Sequence, residues 1–307
     1  MDGYILAQQL VNGLVLGSVY GLIAVGYTMV YGIIGMINFA HGDVYMIAAY
    51  LTAIFLASLT ALGIHSPPVV ILLVLALTMI VTALYGWSVE RIAYRPLRSA
   101  NRLAPLISAI GMSLILQNYV RLSQGARTQG TPTLLDGGLR LFESGPEQFV
   151  QISYAQMLIV VTAVIGMALL WYLIHGTAIG RACRAVQQDR IMAALLGVDT
   201  DRVISTVFVL GAGMAAVAGS LVTFNYGSFD FFIGFVTGIK AFTAAVLGGI
   251  GSLPGAMLGG VILGLSESIF SGFVNTDYKD VFAFSLLVGV LIFRPSGLLG
   301  RPEVEKV

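Results

Sequence analysis

The chain has 307 residues, 57% hydrophobic and 10% charged, and a mean hydropathy of +0.91. Sixteen basic and fifteen acidic side chains cannot coat a soluble body of this size, which would need roughly a quarter charged residues. The composition is that of an integral membrane protein. A net charge of +1 offers no field for nucleic acid, and the lone cysteine, Cys183, excludes an internal disulfide or a multi-cysteine metal site.

Nine apolar stretches stand out against the roughly 20 residues a helix needs to cross the hydrocarbon core. The first, residues 5–37, carries no charge and no basic leader, so it is expected to stay in the fold as a helix. It would be about 50 Å long as one straight helix, too long for a simple span, so a break or strong tilt is expected near Gly26. The others are 44–62, 69–89, 103–120, 152–174, 203–227, 231–250, 254–270 and 281–293. The last is short and is completed by Tyr278 to Asp280. The predicted fold is an all-α polytopic membrane protein of eight to ten helices, nine favoured.

Basic residues set the orientation. Arg91, Arg95, Arg98 and Arg102 crowd one connection, Arg181, Arg184, Arg190 and Arg202 another, and Arg294, Arg301 and Lys306 the tail. Nine alternating spans put these 11 of the 16 basic residues on the cytoplasmic side. Arg121, Arg127, Arg140 and Lys279 fall opposite. The N-terminus is then outside and the C-terminus inside.

The order of the spans suggests two copies, about 5–123 and about 203–294, separated by the 152–174 span. Corresponding helices lie five spans apart, so the copies would be inverted, as in many transporters whose substrate route follows the repeat interface. Spaced glycines (Gly13, Gly17 and Gly21; Gly234 and Gly238; Gly251, Gly255 and Gly259; Gly260 and Gly264) predict close helix packing. Residues 124–151 form a predicted external loop rich in Gly and Pro, including Gly145-Pro146.

A phosphate-binding loop is absent: the three lysines are followed by Ala241, Asp280 and Val307. The energy for any ATP-driven work must come from a partner. The 175–202 connection, predicted cytoplasmic, holds a helix-competent run from Arg181 to Leu196 that Gly197 can end. Its Ala182, Ala185, Val186, Met192 and Leu195 would dock on a soluble subunit, with Arg181, Arg184, Asp189 and Arg190 making polar contacts. An interfacial helix on anionic lipid would suit the same arginines; its isolation as the one sizeable inner loop favours docking.

Lys240 falls in the middle of a span, where an ionised side chain costs at least about 2.5–3.5 kcal/mol. It must be paired, snorkel or face a pore; Glu267 is the candidate partner, and a structural pair or snorkel is the stronger reading. Asn38-Phe39-Ala40-His41-Gly42-Asp43 is a polar break. It reads equally as a gate and as a plain turn with Asp43 capping the next helix. His65 and His175 read as surface loop residues.

Several motifs are similar to those of the membrane permeases of bacterial branched-chain amino acid ABC importers. They are Gly35-Met36-Ile37-Asn38-Phe39-Ala40-His41-Gly42, Tyr94-Arg95-Pro96-Leu97-Arg98, Gly180-Arg181-Ala182-Cys183-Arg184-Ala185 and Leu195-Leu196-Gly197. The run from Lys240 through Thr243 to Gly248-Gly249-Ile250-Gly251-Ser252 and the ending Gly300-Arg301-Pro302-Glu303 complete the set. Urea and short-amide permeases look similar.

The resemblance implies a permease of the bacterial inner membrane paired with a second permease, two cytoplasmic ATPases and a periplasmic protein that captures Leu, Ile or Val. ATP and Mg would be bound by the ATPases, and this chain would carry no cofactor. The region of Arg181, Arg184, Ala185, Asp189 and Arg190 would contact the ATPases. The candidate path or gate residues are Asn38, His41, Asp43, Lys240, Thr243 and Glu267; none is catalytic or metal-binding. A secondary transporter would need more ionisable groups along its path than Lys240, Asp230 and Glu267. No nucleophile–base pair suggests an intramembrane enzyme.

Overall fold

A computed structural model describes residues 2–98, 100–101, 103–145 and 148–300. Arg102, Pro146, Arg301, Pro302, Glu303 and Lys306 lie outside the described residues. Each apolar stretch contains one helix: α1 (Asp2–Ile34), α2 (His41–Ala61), α3 (Pro67–Val89), α4 (Leu103–Gln124), α5 (Tyr154–Gly176), α8 (Thr200–Tyr226), α9 (Ile233–Gly248), α10 (Leu253–Phe273) and α11 (Lys279–Phe293). Two shorter helices, α6 (Ala178–Gln188) and α7 (Arg190–Leu195), fill the 175–202 connection. Among the described residues, seven helices are long and apolar enough to cross a membrane, with α9 a shorter apolar one. The protein is a polytopic all-α membrane protein.

Helices α1 and α8 form the centre, each 89% buried along its most apolar window, whereas α3, α4 and α5 are 28%, 33% and 17% buried. A helix apolar on every side is stable in the core. The outer helices turn Leu72, Ile80, Leu84, Leu114 and Leu169 outward, a surface only lipid tolerates.

The expected break near Gly26 is absent: α1 runs unbroken to Ile34, and the chain turns at Gly35 in the left-handed region (φ +72°). Gly26 instead makes room for a neighbour, since a Cβ there would lie 2.3 Å from Nε2 of His41. Gly26 lies eight residues before the end of α1, about 12 Å along the helix. The first residue of α2 is therefore held inside the bundle rather than at its surface.

The glycines close the central seam. A Cβ on Gly17 would lie 2.6 Å from Cα of Val261, and one on Gly260 would lie 2.4 Å from N of Gly21, so α1 and α10 meet backbone to backbone. Likewise Gly42 on α2 abuts Gly234 and Gly238 on α9. Thr52, Ser220 and Thr78 join α2, α8 and α3 by hydroxyl contacts of 2.8 and 3.3 Å, satisfying polar groups where no water competes.

The helix contacts recur in a crossed pattern. α1 packs on α10 as α8 packs on α3; α2 on α8 as α9 on α1; and α2 on α4 as α9 on α11. The predicted irregular loop contains an antiparallel hairpin, β2 (Gly138–Gly145) with β3 (Gln148–Ser153), so regular structure replaces the expected coil. Two short strands, β1 (Gln129–Gly130) and β4 (Ser228–Phe229), pair antiparallel and tie the same loop to the end of α8. The hairpin lies at the start of α1, where Gln8 bonds both backbone groups of Gln151. Gln187 of α6 lies against Gly32 at the other end of α1. The hairpin and the basic α6–α7 segment thus mark opposite ends of the bundle.

Candidate functional site

Helix α9 carries Lys240 into a polar cluster at the wall of a cavity. Nζ of Lys240 lies 2.6 Å from Oε1 of Glu267 on α10 and 2.5 Å from Oδ1 of Asp280 on α11. The Tyr20 hydroxyl of α1 donates to Oε2 of Glu267 (3.0 Å), and the ammonium sits 5.8 Å from the Tyr20 ring centroid. Lys240 and Glu267 are buried, whereas the Asp280 side chain is 44% exposed. Lys240 therefore does not snorkel, and its predicted partner Glu267 is in contact. Asp280, read from sequence only as an extension of the last helix, is its second partner. These groups line a cavity of about 720 Å³ with Gln9, Asn12 and Thr237.

The other predicted path residues sit elsewhere. Asn38, His41, Asp43 and Thr243 are all buried, and none lines this cavity. Asp43 does not cap α2: the cap position is Ala40 with no side-chain bond. Its Oδ1 instead accepts from Nε2 of Gln117 on α4 (3.0 Å), which bonds Ser113 as well. His41 packs edge-on against Tyr27 at 4.8 Å, and Asn38 accepts from the Tyr94 hydroxyl (3.1 Å). The break is thus an interior polar joint, neither a surface turn nor a capped start. The hydroxyl of Thr243 donates to the Ile239 carbonyl within its own helix (2.9 Å).

At the basic end the helix continuing α3 widens for one turn at Glu90–Tyr94 and then tightens at Arg95–Leu97. Pro96 has no N–H and its ring would strike the carbonyl four residues back, so the α-helix cannot continue. The chain then swings Arg98 back onto fully buried Glu90. Arg98 also pairs with Asp201 at the start of α8, which Arg95 holds at 2.8 Å, while the Ser205 hydroxyl donates to Glu90 (2.6 Å). Sequence reasoning placed Arg95 and Arg98 at this end but missed Glu90 and Asp201. These two lie 8 and 103 residues from Arg98, outside the i, i+3 and i, i+4 spacings of a helix.

The expected single helix over 181–196 is two. Asp189 separates them and caps α7, its Oδ1 accepting from the N–H groups of Ile191 and Met192 (2.9 Å each). Ala182, Ala185 and Val186 face inward onto the bundle, and Arg184 donates to the Ile174 carbonyl. The expected apolar docking side is therefore corrected: of the predicted set only Met192 and Leu195 are exposed. Ile191 and Leu196 join them, at 75% and 84%. A groove of about 850 Å³ beside them is walled by Arg95, Arg98, Arg190, Leu195 and Asp201. Arg181 is exposed. Gly197 ends α7 at φ +87°, as the sequence suggested. Cys183 is buried, which pushes its thiol above the usual range. His175 lies in the last turn of α5 rather than a loop, stacked on Trp171, and both it and His65 are exposed.

The sequence that builds this bundle matches a known family. Residues 9–291 fit the family described as "Branched-chain amino acid transport system / permease component". The chain belongs to that family. The permease is 55% identical over 300 residues to the high-affinity branched-chain amino acid transport system permease protein BraD of Pseudomonas aeruginosa, covering 98% of this chain and 97% of that one. It is 52% identical over 301 residues to LivH of Escherichia coli, with the same coverage. A shorter similarity, 34% over 131 residues and 41% of this chain, reaches the permease LivM of Salmonella typhimurium, covering 30% of it. No solved structure matches.

Proposed function

We propose that this permease translocates branched-chain amino acids across the bacterial inner membrane as one subunit of an ABC importer. Full-length similarity to permeases named for that transport carries the reading. The absent nucleotide loop makes ATP and Mg the business of two partner ATPases. A second permease completes the membrane unit, and a periplasmic binding protein delivers Leu, Ile or Val. Urea or a short amide is the alternative cargo.

Helix α7 and the exposed Ile191, Met192, Leu195 and Leu196 form the ATPase docking surface, flanked by Arg181 and Arg190. Arg184, Ala185 and Asp189 act behind them, holding α6 on α5 and capping α7. Pressure on α7 reaches α8 at once, and the Arg95–Arg98–Asp201–Glu90 pairs link α8 to the end of α3. The crossed helix contacts support an inverted repeat of about 5–123 and about 203–294, with 152–174 as the linking span. Buried Asn38, His41, Asp43 and Thr243 lie on the elements that would shift, and Lys240 and Glu267 on the path.

The test is reconstitution of the assembled importer in proteoliposomes. Leucine uptake is expected only with enclosed or externally supplied ATP at the ATPase face and with the binding protein on the other. Uptake by this chain alone under a proton or sodium gradient contradicts the proposal.

A further inference from the structure

We infer that the cavity between α1, α9, α10 and α11 is a binding site for a zwitterionic aliphatic amino acid. Lys240 takes the α-carboxylate, and Asp280 takes the α-ammonium. This deepens the importer reading and rests on it.

The space is adequate: about 720 Å³ falls within the 300–1,000 Å³ typical of small-molecule sites. It extends along α1 from Gln9 to Tyr20, about 16 Å into the bundle from the hairpin end. Its lining mixes two chemistries. Lys240 touches both Glu267 and Asp280, and Leu16, Phe229, Phe232, Ile233 and Val236 add apolar wall.

Charge selects the guest. The remaining charged groups on the wall, Asp230 and Lys279, offset each other, so the site carries one carboxylate in excess of its ammonium groups. A zwitterion can open the Lys240–Asp280 contact and replace both halves, its ammonium on Asp280 and its carboxylate on Lys240. No charge is then left unpaired in a setting where an unpaired charge is costly. An ammonium without a carboxylate takes Asp280 from Lys240 and gives nothing back, leaving it Glu267 alone; a carboxylate without an ammonium leaves Asp280 with no cation. Asp280 is the member that can exchange: its Oδ1 is buried against Lys240, but the side chain as a whole is 44% exposed, against 2% for Glu267. Glu267 is held by Tyr20 as well as Lys240 and stays as the fixed anion. The aliphatic side chain lies against Phe232 and Val236.

The experiment uses the complete importer in nanodiscs, without binding protein, and measures equilibrium binding of labelled leucine. Saturable binding is expected, competed by isoleucine and valine. Leucinol, which lacks the carboxylate, and 4-methylpentanoate, which lacks the ammonium, should compete at least about tenfold more weakly, each losing one charge-assisted pair. Val236→Phe, which fills the apolar wall, should weaken binding by about tenfold or more, and Val236→Leu should retain it. ATP-driven uptake by the unaltered complex is measured in parallel. If uptake occurs but leucine does not bind saturably, or if leucinol and 4-methylpentanoate compete as well as leucine, the cavity assignment is overturned while the importer reading stands. Absence of uptake instead overturns the importer reading. The analogue competition requires no variant, so a misfolded variant cannot mask the answer.

Discussion

Removing Lys240 should harm the permease more than removing either of its partners. Lys240 faces two carboxylates, at 2.6 and 2.5 Å. Lys240→Met strands both, with Glu267 buried, and breaking a buried pair by deleting one member typically costs about 3–5 kcal/mol. Glu267→Gln leaves Lys240 its contact with Asp280, and the amide oxygen can still accept from Tyr20. Its cost should be that of one hydrogen bond to a charged group, about 1.5–3 kcal/mol. The double replacement Lys240→Met with Glu267→Met should fall well short of the sum, because it removes the stranded anion on α10. Buried Cys183, the single thiol of the chain, supplies the assay: a thiol-reactive dye reports its exposure as the detergent-solubilised permease is heated. The expected order of melting temperatures is wild type, then Glu267→Gln, then Lys240→Met, with the double variant above Lys240→Met. Equal losses for the two single variants, or additive losses in the double, refute the reasoning.

Other outcomes follow from the same geometry. Gly260→Leu should prevent stable folding, since even a Cβ would sit 2.4 Å from the Gly21 nitrogen, and overpacking costs about 1–3 kcal/mol or more; thermal melting of the solubilised chain checks it. Leu195→Asp should lower ATPase co-purification without changing the melting temperature, whereas Ala185→Glu should lower the melting temperature, because Ala185 faces the bundle. Arg98→Met should leave buried Glu90 uncompensated, costing about 3–5 kcal/mol, and Arg98→Met with Glu90→Leu should recover most of it in the same melt. Gln117→Leu should destabilise by about 1–3 kcal/mol by stranding the Asp43 carboxylate.

The span inventory was legible because lipid imposes it: apolar length decides where helices run, and basic residues cluster at one end. Length misled at α1. A helix buried on all sides can exceed the hydrocarbon thickness, and Gly26 served a neighbouring imidazole rather than a kink. The helical glycines do pack closely, since close approach follows from i, i+4 spacing, but Gly251, expected on the same face as Gly255 and Gly259, lies in the turn before α10 at φ +93°. Polar partnerships were legible only where one charge stood out in an apolar run. Lys240 and Glu267 stand out that way; Asp280, at a span end, reads from sequence only as helix extension. Glu90, Asp201 and Gln117 gave no local signal, because Ser205, Arg95 with Arg98, and Asp43 reach them from distant parts of the chain and Arg98 meets Glu90 only after the helix breaks. The α6–α7 segment shows a further limit. Amphipathic spacing tells that a face is apolar but not whether this chain or a partner covers it, so Ala185 was assigned to the wrong surface.

The account depends on α7 lying at the ATP side of the membrane. In a Cys183→Ala background, a cysteine placed at exposed Leu196 can be probed with a membrane-impermeant thiol reagent in intact spheroplasts and in inverted vesicles. Labelling is expected in inverted vesicles alone, and co-assembled ATPases should suppress it; labelling from the outside of intact spheroplasts would contradict the account.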